Sequence, residues 1–459
     1  MNKKMIKIGN AQAFWGDRQE AAAELLQQQP DLDYLTLDYL SEVSLSIMAV
    51  QQEKDPEAGY AKDFIEVLRS LIPFWKKGSK VKVIANAGGI NPKKCAEACL
   101  KILEDNGCSH LKIGVVYGDD VKALIKQNAS NPLFHHLETN QPISEILKKL
   151  TTANAYLGAQ PLIEALNLGA DIVITGRVAD PSLTVAPCVA HFGWQLDDYQ
   201  KIAQATVAGH LIECGTQVTG GIFTDWLQLD GIDSIGFPFV EIDDEANIIV
   251  TKAPHTGGAV NNDIVKEQLL YEIGDPSAYM SPDVIVSFLS LELRQMGKDR
   301  VAVNGAMGKA PPPTYKVSAT YQDGYRAEGL LALFGRNCEE KAHRCGDVIA
   351  ANMKKAGMIP EKYRVECLGK IGIVPGIKPF DDTNTTQLEC ILRMVAADPK
   401  KEVVEYFSKQ IAQLVTCGPQ GITGYTTGRP HIRPVYGYWP CLVERNQVKP
   451  IVEMINERN

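Results

Sequence analysis

The first half of the chain alternates short apolar runs with amphipathic stretches, and this alternation limits the folds open to it. The strand-like runs are residues 5–9, 34–37, 81–85, 111–116 and 171–175. The stretches with apolar residues at helical spacing are residues 21–26, 61–71, 95–103 and 160–168. Strands that alternate with helices predict βαβ units and a mainly parallel sheet. We therefore expect an α/β fold with flanking helices, built on an open sheet or, as the alternative, on a barrel.

The second half has shorter strands and more turns. Glycine and proline cluster after Gly215, and three prolines stand together at 311–313. The Asp-Gly pair at 323–324 predicts a hairpin between the strand-like residues 315–321 and 325–334. Because helical and strand patterns follow, we predict an α+β half with a mixed sheet. The predicted domains are residues 1–215 and 216–459, which can pack as one body.

Composition excludes several classes of protein. The 459 residues are 45% hydrophobic and 22% charged, which is typical of a globular chain and not of a disordered one or a coiled coil. Lys+Arg 47 against Asp+Glu 55 gives a net charge of −8, which disfavours nucleic acid and anionic membranes as partners. We find no signal-peptide pattern and no apolar run of about 20 residues. The 11 cysteines are scattered without a CxxC pair, so we expect a cytoplasmic protein with reduced thiols.

Three of the predicted strands end in polar or glycine-rich turns, and open α/β sheets bind ligands at such ends. Glycine permits close backbone approach to a ligand, and a following helix N-terminus favours an anion. The candidate binding residues in the first two turns are Asn10, Asn86, Gly88, Gly89 and Asn91. Tight structural turns are the alternative. Neither a dinucleotide fingerprint nor a P-loop is present, which disfavours a redox enzyme.

The third turn contains Arg177 and Asp180. The planar fork of an arginine just after a buried strand suits a carboxylate. The i, i+3 spacing also suits a structural ion pair, and Asp180 could cap a helix. Downstream, His210 and Glu213 share a helix face if the segment is helical, and Cys214 follows. These residues are candidates for proton transfer and nucleophilic attack, with an inert core cysteine as the alternative.

Two further segments are candidates for holding anions. The turn with His255, Thr256, Gly257 and Gly258 precedes a helical stretch and could form a nest of N–H groups, although a sharp surface turn has the same pattern. Arg429, His431 and Arg433 alternate along an extended segment, so their side chains project to one side. That side suits a phosphate, a carboxylate or an acidic patch on a partner.

Several long strings resemble the acyclic terpene utilisation (AtuA) family. They are IANAGGINPKKCAEA (84–98), LGAQPLIEALNLGADIVITGRVADPSLTVAP (157–187), AGHLIECGTQVTGG (208–221), KAPHTGGAVNNDIVKEQLLYEIGDPSAY (252–279) and GYWPCLVER (437–445). The resemblance implies a role in the breakdown of branched acyclic terpenoids through acyl-CoA thioesters. It carries no agreed set of catalytic residues.

From these observations we expect an enzyme of the lyase or hydratase class that acts on a branched carboxylic acid or its CoA thioester. Arg177 would hold the carboxylate, and Asp180, His210 and Glu213 would be the acid–base candidates. A divalent metal is a further option, with oxygen ligands from Asp38, Asp180 and Glu213. The alternative is a scaffold or regulatory subunit that performs no chemistry.

Longer members of the family resemble this chain with an added ferredoxin-like domain of roughly 100 residues after the matched region. This chain stops at Asn459. The resemblance therefore implies a separate small ferredoxin-like subunit as a partner. We also expect a homo-oligomer.

Overall fold

A computed structural model describes residues 4–369, 388–425 and 428–455. The chain divides into two compact units, Met1–Thr320 with Tyr438–Asn459 and, inserted between them, Tyr321–Gly437. Residues 238–252 and 292–304 form strands that join the sheet of the first unit. The boundary after residue 215 stays a prediction. No helix in the described part of the chain is long and apolar enough to cross a membrane.

A parallel sheet forms the centre of the first unit. Its strands are β1 (Met5–Asn10), β2 (Tyr34–Leu37), β3 (Lys82–Ala85), β4 (Ile113–Tyr117) and, after β5 (Leu150–Ala155), β6 (Ile172–Thr175). They lie in the order β1-β2-β3-β6-β4 and pair in parallel, as the alternation predicts.

Helices cover this sheet. They are α1 (Ala21–Gln28), α2 (Glu42–Lys54), α3 (Asp63–Lys76), α4 (Pro92–Asp105), α5 (Lys122–Gln127), α6 (Gln160–Asn167), α7 (Ser182–Phe192), α8 (Tyr199–Glu213) and α9 (Asn262–Leu270). Helices α1, α3 and α4 bury their apolar faces in one core with β2 and β3. In α3, Phe64, Leu68, Leu71 and Trp75 recur every three or four residues and are all buried. Each such side chain stabilises the fold by about 1.5–3 kcal/mol.

Antiparallel strands extend the sheet on both sides. On one side they are β7 (Pro238–Asp243), β8 (Ile248–Lys252), β11 (Glu292–Gly297) and β12 (Arg300–Asn304). A separate three-stranded antiparallel sheet consists of β9 (Tyr279–Met280), β10 (Ile285–Ser287) and β13 (Met307–Lys309), in the order β13-β10-β9. Strands β7, β8, β12 and β11 continue from β1, whereas β19 (Ile451–Ile455) pairs with β4. Among the described residues the sheet therefore ends in the edge strands β11 and β19. The α/β prediction is confirmed, and the sheet does not close into a barrel.

The second unit is an antiparallel sheet with two helices on one face. Its elements are β14 (Thr314–Phe334), α10 (Cys338–Lys355), β15 (Lys362–Leu368), β16 (Glu389–Asp398), α11 (Lys401–Cys417) and β17 (Ile422–Tyr425), followed by β18 (Arg433–Glu444). The strand order β15-β16-β14-β17 is the split βαβ arrangement of ferredoxin-like folds. Both helices bury their apolar faces against one side of this sheet.

The predicted hairpin at 323–324 is wrong, because β14 runs without reversal through the Asp-Gly pair. Its residues from Tyr325 to Phe334 pair with β16, and Tyr156 at the end of β5 donates a backbone hydrogen bond to Lys316. Gly324 has a φ of 95°, so this glycine accommodates an irregular backbone inside a continuous strand.

Candidate functional site

Polar side chains collect at the carboxyl ends of the parallel strands of the first unit. The strands or the residues just after them contribute Asn10, Asp38, Asn86, Asp119 and Arg177, and all five side chains are buried. Buried polar groups need hydrogen-bond partners, and these residues supply them to one another or to nearby backbone. The carboxyl edge of an open α/β sheet is also where ligands bind.

Arg177 is the centre of this cluster. Its Nη1 donates to the Leu40 carbonyl at 2.6 Å and lies 3.1 Å from a carboxylate oxygen of Asp180. Its guanidinium stacks 4.2 Å from the ring centre of Tyr156, and its backbone N–H donates to Asp119 at 3.0 Å. The Nε of Arg177 is buried and has no hydrogen-bond partner in the described chain. An unpartnered buried donor of this kind fits a ligand with an acceptor oxygen.

The Arg177 side chain lines a cavity of about 350 Å³, at the lower end of the range for small-molecule sites. Its polar lining residues include Glu42, Tyr156, Arg177, Asp180, His210, Glu213, Glu272, Tyr279 and Lys316. Its apolar lining residues include Leu137, Ile273, Met280, Pro282, Pro312 and Leu442. The cavity therefore combines charged groups with room for an alkyl chain.

His210 and Glu213 form a buried hydrogen-bonded pair on the last turn of α8. The Nδ1 of His210 lies 3.0 Å from Oε1 of Glu213, and its Nε2 lies 2.9 Å from the carbonyl of Gln268. Burial lowers the pKa of His210 to about 4. Burial, together with the charges of Asp180 and Glu272, raises the pKa of Glu213 well above its usual range. Near neutral pH, Nε2–H therefore donates to Gln268, and the protonated carboxyl of Glu213 donates to Nδ1.

Three more carboxyl groups lie near Arg177. Burial raises the pKa of Asp180 against the lowering effect of Arg177, and burial also raises the pKa of Asp38. Glu42 behaves differently: burial favours its neutral form, but Arg177, its own N–H at the start of α2 and the Tyr156 hydroxyl together lower its pKa. Glu42 therefore stays ionised at this site.

Several lining residues were not predicted from the sequence, among them Glu42, Tyr156, Tyr279 and Lys316. Lys316 lies with its Nζ 5.1 Å from the ring centre of Tyr156, and burial lowers its pKa. Burial raises the pKa of Tyr156 to about 12, so its hydroxyl stays protonated and donates to Glu42 at 2.8 Å. No local pattern of residue types marks these residues as members of a site.

Asn10 and Asn86 hold the framework of the site. Asn10 donates to the carbonyls of Ile212 and Glu213 at 2.6 and 3.0 Å, which ties the end of β1 to the end of α8. Asn86 donates to Asp38 at 2.6 Å and accepts from the backbone N–H of Tyr39. Their amide groups are thus already hydrogen-bonded within the protein.

The glycines after β3 allow backbone to pack closely. The Gly88 N–H donates to the Thr175 carbonyl and the Gly89 N–H donates to the Asn86 carbonyl, so neither is free for an anion. A Cβ on Gly88 would lie 2.7 Å from the Thr175 carbonyl oxygen. Asn91 donates to the carbonyl of Ala58 and lines a separate cleft with Asp119, outside the lining of the Arg177 cavity.

The turn at 255–258 also satisfies its own backbone. The N–H groups of Gly257 and Gly258 donate to the carbonyls of Ser234 and Asp230. The Thr256 hydroxyl donates to the Ala253 carbonyl, and His255 is exposed with a φ of 63°. These residues are outside the lining of the Arg177 cavity. Arg429, His431 and Arg433 belong to the second unit, where they line a depression of their own.

Cys214 follows Glu213 at the end of α8. Burial and the charge of Glu213 raise the pKa of its thiol, so a reactive thiolate is not populated at neutral pH. Within the described residues, no three His, Cys, Asp or Glu side chains are grouped so that they could hold a metal ion. Asp38, named as a candidate ligand, accepts hydrogen bonds from Asn86 and the Leu40 N–H.

The fold and the cavity define an α/β protein with a cavity at the carboxyl edge of its parallel strands, lined by acid–base groups. A family model described as acyclic terpene utilisation family protein AtuA matches residues 6–454. The chain belongs to this family, as the sequence strings predicted, and the family links it to catabolism of acyclic terpenes. No curated protein and no solved structure matches the chain.

Proposed function

We propose that this protein is a catabolic enzyme, or the catalytic subunit of one, that performs lyase or hydratase chemistry on a branched carboxylic acid or its acyl-CoA thioester. One observation carries the proposal. A single cavity joins a buried arginine, whose Nε has no partner, to a buried His–Glu pair that holds a transferable proton. Lyases and hydratases need both a group that holds an anionic oxygen and a group that moves a proton.

Arg177 is suited to hold the substrate oxygen. Its Nη1 is fixed by Leu40 and Asp180 and its plane by Tyr156, so the guanidinium is oriented before any ligand arrives. The unpartnered Nε would donate to a carboxylate oxygen or to the carbonyl oxygen of a thioester. A charge-assisted hydrogen bond in such a buried place is worth about 1.5–3 kcal/mol.

Glu213 is suited to move the proton. Its Oε2 is buried without a partner, and its Oε1 is hydrogen-bonded to His210. Oε2 would take a proton from the substrate carbon while the proton on Oε1 passes to Nδ1 of His210. Asp180 would serve as the second acid–base group, protonating the leaving hydroxyl in a dehydration and activating water in the reverse direction.

The apolar lining residues of the cavity favour a substrate with a branched alkyl group. Leu137, Ile273 and Leu442 line the cavity together with Met280 and two prolines. A volume of about 350 Å³ suits the acyl part of a substrate better than a whole CoA thioester. The predicted homo-oligomer, the separate small subunit and the cytoplasmic location stay predictions.

The test follows proton abstraction and water addition directly. Methyl-branched carboxylic acids and their CoA thioesters, in saturated, 2,3-unsaturated and 3-hydroxylated forms, are incubated with the protein in D₂O. Mass spectrometry then detects deuterium uptake, gain or loss of water, and carbon–carbon cleavage. We expect Glu213→Gln to lower the rate by about 10²–10⁴-fold. Arg177→Lys keeps the charge but loses the planar fork, so substrate affinity should fall by about 10–100-fold.

Glu104→Gln is the matched control, because Glu104 is exposed on α4 and lies outside the lining of the Arg177 cavity. It should leave deuterium uptake within a few-fold of the wild type. A wild-type protein that neither exchanges nor binds any of these substrates would contradict the proposal and favour the scaffold alternative.

A further inference from the structure

In the described part of the second unit, the two helices lie on one face of the sheet, and side chains on the other face are exposed or partly exposed. Along β14, Ala327 and Leu331 point into the core formed with α10 and α11. Strand residues alternate between the two faces, so Arg326, Glu328 and Leu330 point to the opposite, helix-free face.

The segment that leads into β18 lies beside this strand. Pro430 lies 3.4 Å from the position that a Cβ on Gly329 would occupy, and Ile432 packs against the helix-side core. His431 and Arg433 flank Ile432 and therefore face away from that core. They line a concave depression of about 260 Å³ whose walls are Arg326, Ala327, Glu328, Leu330, Arg429, Pro430, His431 and Arg433.

Ion pairs already satisfy the carboxylates on this face. Glu328 accepts from Arg326 at 3.0 Å and from Arg393 at 2.9 Å. Arg393 continues to Glu366 at 2.7 Å, and Arg364 contacts Glu366 at 2.6 Å. The hydrogen bonds from Arg393 lower the pKa of Glu328, so this carboxylate stays ionised and committed to its arginines.

Arg429 and Arg433 remain outside this chain of ion pairs. Neither forms a salt bridge within the described ranges, and both are exposed in the depression. Arginine forks bind phosphate oxygens in pairs, and several forks directed into a concave space suit an anion with more than one charge. A flat acidic protein surface would not enter a depression of this size.

We propose that this depression is a binding site for a diphosphate group. Arg429 and Arg433 would donate to the phosphate oxygens, Arg326 would contribute charge from the strand, and His431 would add a ring N–H. The site lies wholly within the second unit and does not rest on the function proposed for the Arg177 cavity. Inorganic diphosphate and a nucleotide-borne diphosphate, as in ADP or coenzyme A, present the same chemistry to these arginines.

Isothermal titration of the full chain at low ionic strength tests this site. The probes are inorganic diphosphate, ADP and coenzyme A, with citrate as a carboxylate of similar charge. We expect the diphosphate probes to bind in preference to citrate and to weaken as salt is added. Arg429→Ala and Arg433→Ala should each weaken binding by about 10-fold or more. Tighter binding of ADP and coenzyme A than of inorganic diphosphate would identify a nucleotide as the source.

Arg344→Ala is the matched control. Arg344 is 80% exposed on α10, on the helix side of the same unit, so its loss changes the net charge by the same amount. All three positions are exposed, so the variants should fold, and circular dichroism checks this. The proposal is overturned if no diphosphate probe binds, or if Arg344→Ala weakens binding as much as the other two variants.

Discussion

His210 and Glu213 are buried in their neutral forms, and this arrangement links the stability of the protein to pH. The folded state protonates His210 only near pH 4, whereas the unfolded chain does so near its ordinary value of 6.5. Folded Glu213 keeps its proton well above its ordinary value of 4.5. Between pH 4.5 and 6.5, each state of the pair therefore holds one proton, and the two effects on stability cancel.

Glu213→Gln should remove this cancellation. The Gln amide can donate to His210 as the protonated carboxyl does, so His210 should remain neutral in the folded state. The unfolded variant then binds one proton more than the folded variant as pH falls from 6.5 to about 4. Its free energy of unfolding should drop by about 3 kcal/mol over that range, while the wild type stays nearly flat down to pH 4.5.

Denaturant unfolding at a series of pH values measures this difference. Above pH 6.5, unfolded His210 has also lost its proton, so the folded wild type binds one proton more than the unfolded chain for as long as folded Glu213, with its raised pKa, keeps its proton. The wild type should therefore lose stability relative to Glu213→Gln as pH rises. Parallel curves for the two proteins from pH 4 to 8 would show that the pair does not share a proton as described. Glu104→Gln serves as the control and should follow the wild type, because Glu104 is exposed on α4 and lies outside the lining of the Arg177 cavity.

Arg177, His210 and Glu213 could be predicted from the sequence because each belongs to a local pattern. Arg177 follows a buried strand, and His210 and Glu213 are neighbours on one helix, so local spacing alone places them. Glu42 and Lys316 reach the cavity only through tertiary packing, which local spacing does not encode. Gly88 shows the limit of local patterns. A glycine after a strand fits an anion site and a tight turn equally well, and here close packing against Thr175 explains why the residue is glycine.

At the scale of elements, the end of α8 determines where the proton-transfer pair lies. A helix leaves its last carbonyls without intrahelical partners. Here the side chain of Asn10, at the end of β1, donates to two of them. The contact joins the central strand of the sheet to the helix turn that carries Glu213.

Asn10→Ala should loosen this turn. We expect a loss of about 1–3 kcal/mol in the free energy of unfolding, because two buried carbonyls lose their donor. We also expect reduced substrate turnover without a change in the residues of the cavity. Asn106→Ala is the control, since Asn106 donates only to Ile102 of its own helix at 2.8 Å. Equal effects of the two variants on turnover would contradict a positioning role for Asn10.

The path of strand β14 depends on a single residue, Gly324. Its φ of 95° is one that glycine adopts without strain, and a Cβ there would lie 2.6 Å from the Asp398 carbonyl oxygen. Gly324→Ala should therefore destabilise the protein by about 1–3 kcal/mol, as measured by thermal or denaturant unfolding.

Gly335→Ala separates strain from steric clash. Gly335 has a φ of 99°, but only the flexible tip of Lys341 lies near the added methyl group. It should cost only the backbone strain, about 1 kcal/mol. If Gly324→Ala were as mild as Gly335→Ala, the close approach of β14 to Asp398 would be refuted.

Periodicity predicted most elements of both units but not the path of β14. Alternating patterns identify strands, and their period does not say whether a chain reverses at a glycine or continues through it. The Asp-Gly pair fits a hairpin turn, yet Tyr325 pairs with Asp398 and the rest of the strand pairs with β16. Pairing with the distant strand β16 therefore determines that the chain continues through Gly324, which the local sequence does not.

At the scale of the whole molecule, the second unit is an insertion with its own core. Its first residue, Tyr321, lies against its last, Gly437, whose added Cβ would meet the tyrosine ring. Chain ends that lie together are typical of inserted domains. The cores of the two units consist of separate sets of side chains.

Two matched substitutions should therefore affect different parts of the chain. Leu392 is fully buried in the core of the second unit, and Leu68 is fully buried in the core of the first. Each Leu→Ala change leaves a cavity and should cost about 2–5 kcal/mol in its own unit. Hydrogen exchange followed by mass spectrometry should show faster exchange within 321–437 for Leu392→Ala and within 4–320 for Leu68→Ala. If either variant accelerated exchange equally in both ranges, the two units would unfold as one cooperative body, because opening of one core would then require opening of the other.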